Sequence, residues 1–108
     1  MALQHPGSTF GRRLRMARQL ADIPQDKLGV QIGLDEGTAS ARISRYETGV
    51  HEPPFGVAVK IAHVLGVPTA YFYCEDDDLA GVILIWGKLS TAQRKNILAL
   101  LSSNPSPT

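Results

Sequence analysis

Six arginines stand at positions where charge and spacing could do chemistry. Arg12, Arg13, Arg15 and Arg18 fall within the first 21 residues, and no acid accompanies them there. Arg42 and Arg45 follow, three positions apart, which puts them side by side on a helix. A guanidinium is permanently charged, planar and rich in donors. Its chemistry is anion recognition, through paired hydrogen bonds to phosphate oxygens or to O6 and N7 of guanine. The opposing charge gathers at Glu75-Asp76-Asp77-Asp78. The net charge of +1 is therefore a cancellation between a basic end and an acidic run expected to lie far from it.

Other chemistries find little support. Serine, histidine and aspartate occur without the spacing of a triad, and no glycine-rich phosphate loop or catalytic carboxylate pair is present, so catalysis is not expected. His5, His51 and His63 are scattered, and no metal or cofactor is expected. Cys74 is the only cysteine, which excludes an internal disulfide and a cysteine-based zinc site. It reads as a small apolar filler beside Tyr73. At 108 residues, 44% apolar and 19% charged, the chain suits one globular core with no room for a separate ligand-sensing domain. The N-terminus lacks the apolar run of a signal peptide. The longest apolar stretch, Leu79–Trp86, is far short of the roughly 20 residues that span a bilayer. A cytoplasmic protein without membrane partners is expected.

The arginines need elements to hold them, and hydrophobic periodicity supplies these. Residues 1–8 read as a loose arm, with Ser8 or Thr9 as a cap. Phe10, Leu14, Ala17 and Ala21 recur at helical spacing with Leu20 beside them, predicting a helix over 10–21. Pro24 opens a short helix to Ile32, and Gly33 suits the left-handed turn that ends it. Asp35 caps a helix over 36–48, whose apolar stripe is Ala39, Ile43 and Tyr46, and Gly49 stops it. Phe55, Val59, Ala62, Val64 and Leu65 define a helix ending at Gly66. Thr69–Tyr73 reads as a short fifth helix. The acidic run starts a sixth, ending near Gly87 or Lys88, and Ser90 caps a seventh over 91–102. Residues 104–108 form a tail. No strand pattern appears.

A short helix, a turn at Gly33 and a helix carrying exposed arginines make a helix-turn-helix layout. Steep packing of the two helices wants a small residue, which Gly29 supplies. Leu28, Ile32, Leu34 and Ile43 supply the apolar contacts that fix the angle.

Four segments in this order resemble the Cro/phage-repressor (XRE-type) family. They are Phe10-Gly11-Arg12-Arg13-Leu14-Arg15 with Ala17-Arg18, then Gln25-Asp26-Lys27-Leu28-Gly29. Ile43-Ser44-Arg45-Tyr46-Glu47-Thr48-Gly49 and Pro53 with Lys60-Ile61-Ala62-His63-Val64-Leu65-Gly66-Val67 complete the set. The resemblance covers about residues 10–73. It implies an all-α fold, a five-helix repressor-type domain over 9–74, here followed by a C-terminal helical pair over 75–103. It implies double-stranded DNA as partner. Gln25 matches the glutamine that grips a phosphate. Arg18 and Glu47 match a charged pair joining the first helix to the end of the recognition helix, which can leave the arginine at the DNA backbone. Ser40, Ala41, Arg42, Ser44 and Arg45 fall at or beside the positions that reach base edges. Arg12 and Arg15 are further phosphate candidates, since no acid lies among them.

One spacing departs from the family. Fourteen residues separate Gly33 from Glu47, about four more than usual. Four residues is about one helical turn, so the segment around Asp35–Thr38 predicts a longer recognition helix in the same register. A longer turn before an ordinary helix is the alternative.

Leu79, Val82, Ile83, Leu84, Ile85 and Trp86 cover nearly every face of the sixth helix. A helix apolar all round must be buried all round. The seventh helix, with Ile97, Leu98, Leu100 and Leu101, is expected to cover one side. A second subunit is expected to cover the remainder, with Leu79, Val82, Ile83, Ile85 and Trp86 at a homodimer interface; the alternative is that the two helices simply cap the monomer core. The sequence thus predicts a dimeric, sequence-specific transcription regulator, a repressor. The rival reading is an antitoxin or regulatory subunit that holds a protein partner through the same C-terminal helices.

Overall fold

The computed structural model describes residues 8–103, and every regular element among them is a helix. The expected N-terminal arm up to residue 7 and the tail over 104–108 lie outside the described residues.

Helix α1, Thr9–Leu20, starts where the Ser8 hydroxyl accepts from the Gly11 amide at 3.0 Å. That bond satisfies one of the unpaired donors of the first turn. Phe10, Leu14 and Ala17 are buried as the periodicity requires. Leu20 and Ala21 are not, and Leu20 is 73% exposed. The helix ends at that point, and Asp22 turns the chain at φ 57 towards Pro24.

Helix α2, Gln25–Gln31, follows directly from Pro24. It ends at Gly33, whose φ of +100° only glycine adopts freely. The Leu34 amide donates to Gly29 at 2.9 Å and the Gly33 amide to Val30 at 3.0 Å, the paired bonds of a Schellman turn. Helix α3, Glu36–Thr48, then begins after Asp35. Of the extra segment, Asp35 is the extended cap and Glu36–Thr38 are helical, so the longer recognition helix forms and the longer turn does not. At Gly29 a Cβ would lie 2.5 Å from the Ala39 Cβ. The α2 and α3 backbones are therefore in direct contact at these two residues.

Helix α4, Phe55–Leu65, buries Ala58, Ile61, Ala62 and Leu65. Its buried stripe differs from the expected one, because Phe55 and Val59 face outwards and Phe55 lies 6.5 Å from the Tyr73 ring. Thr69–Tyr73 forms a 3-10 turn rather than an α-helix. Five residues between Pro68 and an extended Cys74 suit that tighter form. It delivers Tyr71 and Phe72 into the core, with Phe72 4.9 Å from Phe10.

Helix α5, Asp77–Gly87, is capped by Asp76, whose carboxylate accepts from the Leu79 amide at 2.9 Å. It rests on the 3-10 turn through Ala80, its one buried residue, with Ile83 and Leu84 packed partly against the core. Helix α6, Thr91–Ser103, opens on a capping box, in which Ser90 and Gln93 exchange hydrogen bonds of 2.9 and 3.1 Å. It buries no residue. The expectation that this helix covers one side of its neighbour is overturned, because α6 continues away from the core. The Cα radius of gyration is 16.2 Å, against about 13 Å for a compact domain of this length.

Candidate nucleic-acid interface

At 100° per residue, the buried Ala39, Ile43 and Tyr46 of α3 set the direction of the core. Ala41, Ser44, Arg45 and Thr48 fall on the opposite half. Arg42 lies on one flank beside Thr38, and Ser40 and Glu47 lie on the other. Ser40, Ala41, Arg42 and Arg45 are exposed and Ser44 is half-buried. Neither Arg42 nor Arg45 has a carboxylate partner among the described residues. Thr48 joins this outward face although its sequence gave no cue beyond its helical phase.

The Ser40 and Glu47 flank is fastened to the rest of the domain. The Ser40 hydroxyl donates to Gln25 Oε1 at 3.2 Å, and Gln25 Nε2 donates to Glu47 Oε1 at 3.0 Å. Arg18 donates to both oxygens of Glu47, from Nε and, at 3.3 Å, from Nη2. Its Nη1 donates to the Ile23 carbonyl at 3.1 Å. The Glu47 side chain is 4% exposed and that of Arg18 14%. One carboxylate thus joins α1, the start of α2 and the end of α3. Bidentate geometry with every close acceptor satisfied is the condition under which such a pair holds its position. Gln25 is oriented by this network, and the Ser40 hydroxyl proton is committed to it.

Gly11 was not singled out from sequence. A Cβ there would meet the Glu47 carbonyl oxygen at 2.3 Å, so α1 lies directly against the last turn of α3. The signal was available only as a glycine inside a helix, which costs stability unless close approach requires it.

The four α1 arginines separate into different roles. Arg13 is 1% exposed. Its Nε donates to the Cys74 carbonyl at 2.9 Å, and its Nη2 donates to the Glu75 carbonyl at 3.1 Å and to Asp77 Oδ1 at 2.9 Å. Its guanidinium carbon stands 5.6 Å from the centre of the Tyr71 ring. Arg12, half-exposed, donates to the same Asp77 oxygen at 3.1 Å. The acidic run is therefore not remote from the basic helix, as the sequence suggested. The 3-10 turn folds the start of α5 back onto α1. Hydrogen bonds from Arg13 and then Arg12 hold the Asp77 carboxyl below its ordinary value. Arg15 is exposed and has no carboxylate partner among the described residues.

On the C-terminal helices, Leu79, Val82 and Ile85 are 53%, 56% and 61% exposed. Ile83 leans on the core, and Trp86 is half-buried with the Arg94 guanidinium 5.5 Å from its ring centre. Among the described residues no group of histidine, cysteine or acidic side chains is placed to hold a metal ion. No helix there is long and apolar enough to cross a membrane.

A helix-turn-helix family model matches residues 14–72, more than half of the chain. No curated protein matches the chain. Among solved structures, that of the transcriptional regulator BswR superposes with a TM-score of 0.84 at 38% identity, covering 87% of this chain and 93% of that one. The matched region holds α2, the Gly33 turn and α3. The chain belongs to the Cro/phage-repressor (XRE-type) helix-turn-helix family of DNA-binding transcriptional regulators.

Proposed function

We propose that this chain is a dimeric repressor that reads double-stranded DNA by laying α3 in the major groove and acts by occupying an operator. The observation that carries this reading is the outward face of α3. It presents Arg42 and Arg45 without carboxylate partners among the described residues, while the flank behind it is fixed by the Arg18–Glu47–Gln25–Ser40 network. Arginines presented from a rigid element suit bidentate recognition of guanine. Arg45, Ser44 and Ala41 address base edges, Arg42 addresses the groove wall or a neighbouring base, and Ser40 stands at the margin.

Arg15 and Gln25 contact phosphates, together with free amides at the start of α2. Arg12 joins them by exchanging Asp77 for a phosphate oxygen, an exchange that its half-exposed position favours. Arg18 acts on DNA chiefly by holding Glu47 and Gln25 in place. Two copies pair through the exposed face of α5, centred on Leu79, Val82 and Ile85 with Ile83 and Trp86 at its edges. Pairing sets two recognition helices about 34 Å apart on successive major grooves.

A salt titration of binding to short duplexes tests the reading. Log affinity is expected to fall linearly with log salt, by about 0.9 for each phosphate neutralised. No measurable affinity for any duplex at low salt overturns it. Arg45→Ala is expected to lower specificity by about 1–3 kcal/mol at one base pair. Equal weakening on all sequences reassigns Arg45 to the backbone.

A further inference from the structure

The second half of helix α6 carries leucines that no described residue buries, although Ile97 is half-buried and Arg94 rests on Trp86. Leu98, Leu100 and Leu101 are 52%, 64% and 63% exposed, and no α6 residue is buried. A hinge that let it fold back on α5 would solve the problem within one chain, but the elbow is pinned. Arg94 donates to the Trp86 carbonyl at 3.1 Å and to the Gly87 carbonyl at 3.4 Å, while its guanidinium lies over the Trp86 ring. The Ser90–Gln93 capping box fixes the first turn of α6 from the other side. Arg94 thereby adds a second donor to the Trp86 carbonyl, which already accepts from the Leu89 amide at 3.1 Å, and reaches the Gly87 carbonyl beyond it. The helix is held out from the core as a rigid arm.

Resting on the dimeric reading above, we infer that the arm is exchanged. The α6 helix of each copy lies over the exposed α5 face of a second copy, and α5 alone does not close the dimer. Five half-exposed aliphatic side chains per copy, Leu79, Val82 and Ile85 on α5 with Leu98 and Leu101 on one face of α6, carry the contact. At about 60–120 Å² each, two copies contribute on the order of 1,000 Å² of apolar area, the scale a specific interface needs. On α5 by itself only three of these five are present, which falls short. Charge supports a second copy of the same chain as the occupant. When two α5 helices run antiparallel about Val82, Lys88 of each comes within one turn of Asp78 of the other, the acid of that run not engaged by Arg12, Arg13 or the α5 cap. A two-fold axis repeats each of these contacts, so one surface serves as both halves of the interface.

The test is sedimentation velocity of the full chain against Leu98→Glu/Leu101→Glu, both checked for helix content by circular dichroism. These side chains are exposed in the monomer, so the variant keeps its fold. The wild-type chain is expected to be a dimer at micromolar concentration, and the variant to dissociate at least about 100-fold more readily. A variant as dimeric as the wild type overturns arm exchange and leaves the dimeric reading standing. A wild-type chain that is monomeric at about 100 µM overturns both and assigns the face to a different protein. Val82→Glu gives the complementary result, since loss of the dimer is expected there whether or not α6 takes part. A Val82→Glu chain that still pairs overturns the α5 half of the interface.

Discussion

Arg13 and Asp77 stand 64 positions apart in sequence and meet at 2.9 Å across the seam between α1 and α5. The relationship is unequal. The Arg13 side chain is 2% exposed and that of Asp77 is 78% exposed. Arg13 is therefore the structural member, because its removal leaves the Cys74 and Glu75 carbonyls without their donor. Arg13→Met, which keeps most of the stem volume, is expected to cost about 2–4 kcal/mol in urea denaturation at fixed protein concentration. Asp77→Asn retains an acceptor oxygen and sits in water, so its cost is expected to be clearly smaller. Equal costs would mean that the charge, rather than the carbonyl bonds, holds the seam.

The same seam predicts a dependence on acidity. Asp77 has a folded pKa below its ordinary value of 3.8, chiefly through the Arg13 hydrogen bond and then that of Arg12. A carboxyl with a depressed folded pKa binds its proton more readily when unfolded. Its contribution is thus complete above the unfolded value and disappears as pH falls through the folded one. The stability difference between wild type and Asp77→Asn should therefore be constant from pH 7 to about 5 and shrink below about 4. A difference that persists unchanged to pH 2 would contradict this, as would a folded Asp77 carboxyl that titrates by NMR at the ordinary value.

Gly29→Ala sets two effects against each other. In a helix interior the change ordinarily stabilises by roughly 0.5–1 kcal/mol. Here the new Cβ meets the Ala39 Cβ at 2.5 Å and its Cα at 2.9 Å, and both belong to a helix that cannot move without shifting the recognition face. Overpacking of this kind costs about 1–3 kcal/mol, so net destabilisation is expected. A thermal melt gives the sign directly. A variant that melts higher than wild type would show that α2 and α3 are free to separate.

Much of this arrangement was legible in the chain itself. Gly29, Gly33 and the stripe of Ala39, Ile43 and Tyr46 specify the two packed helices, because a close approach, a positive φ and a helical period each leave a mark on residue type. The extra turn of α3 followed from counting. What escaped was the fate of individual arginines. Arg13 stands three residues after Phe10 and four before Ala17, on the edge of the buried stripe, so its phase was visible. Its acceptors were not, since two are backbone carbonyls that the 3-10 turn brings from residues 74 and 75. The exposure of α6 escaped for a similar reason. Its leucines recur at helical spacing whether they meet their own core or another copy. The geometry that decides between these, Arg94 on the end of α5, is a tertiary contact.

Arg18 and Glu47 supply the last expectation. Breaking this nearly buried pair from one side leaves a charge without a partner, so Arg18→Met and Glu47→Leu are each expected to cost about 3–5 kcal/mol. In Arg18→Met/Glu47→Leu both charges are gone, and the loss should be smaller than the sum by about 2 kcal/mol, the coupling of a shared network. The DNA readout separates support from direct contact. Gln25 Nε2 loses its Glu47 acceptor in the double variant. A glutamine that grips phosphate is then less well placed for every duplex alike. The double variant, studied at a temperature where it is folded, should bind all sites more weakly while keeping the order of preference among them. A change in that order would place Gln25 at a base edge, through Ser40 and its neighbours on α3, instead of at the backbone.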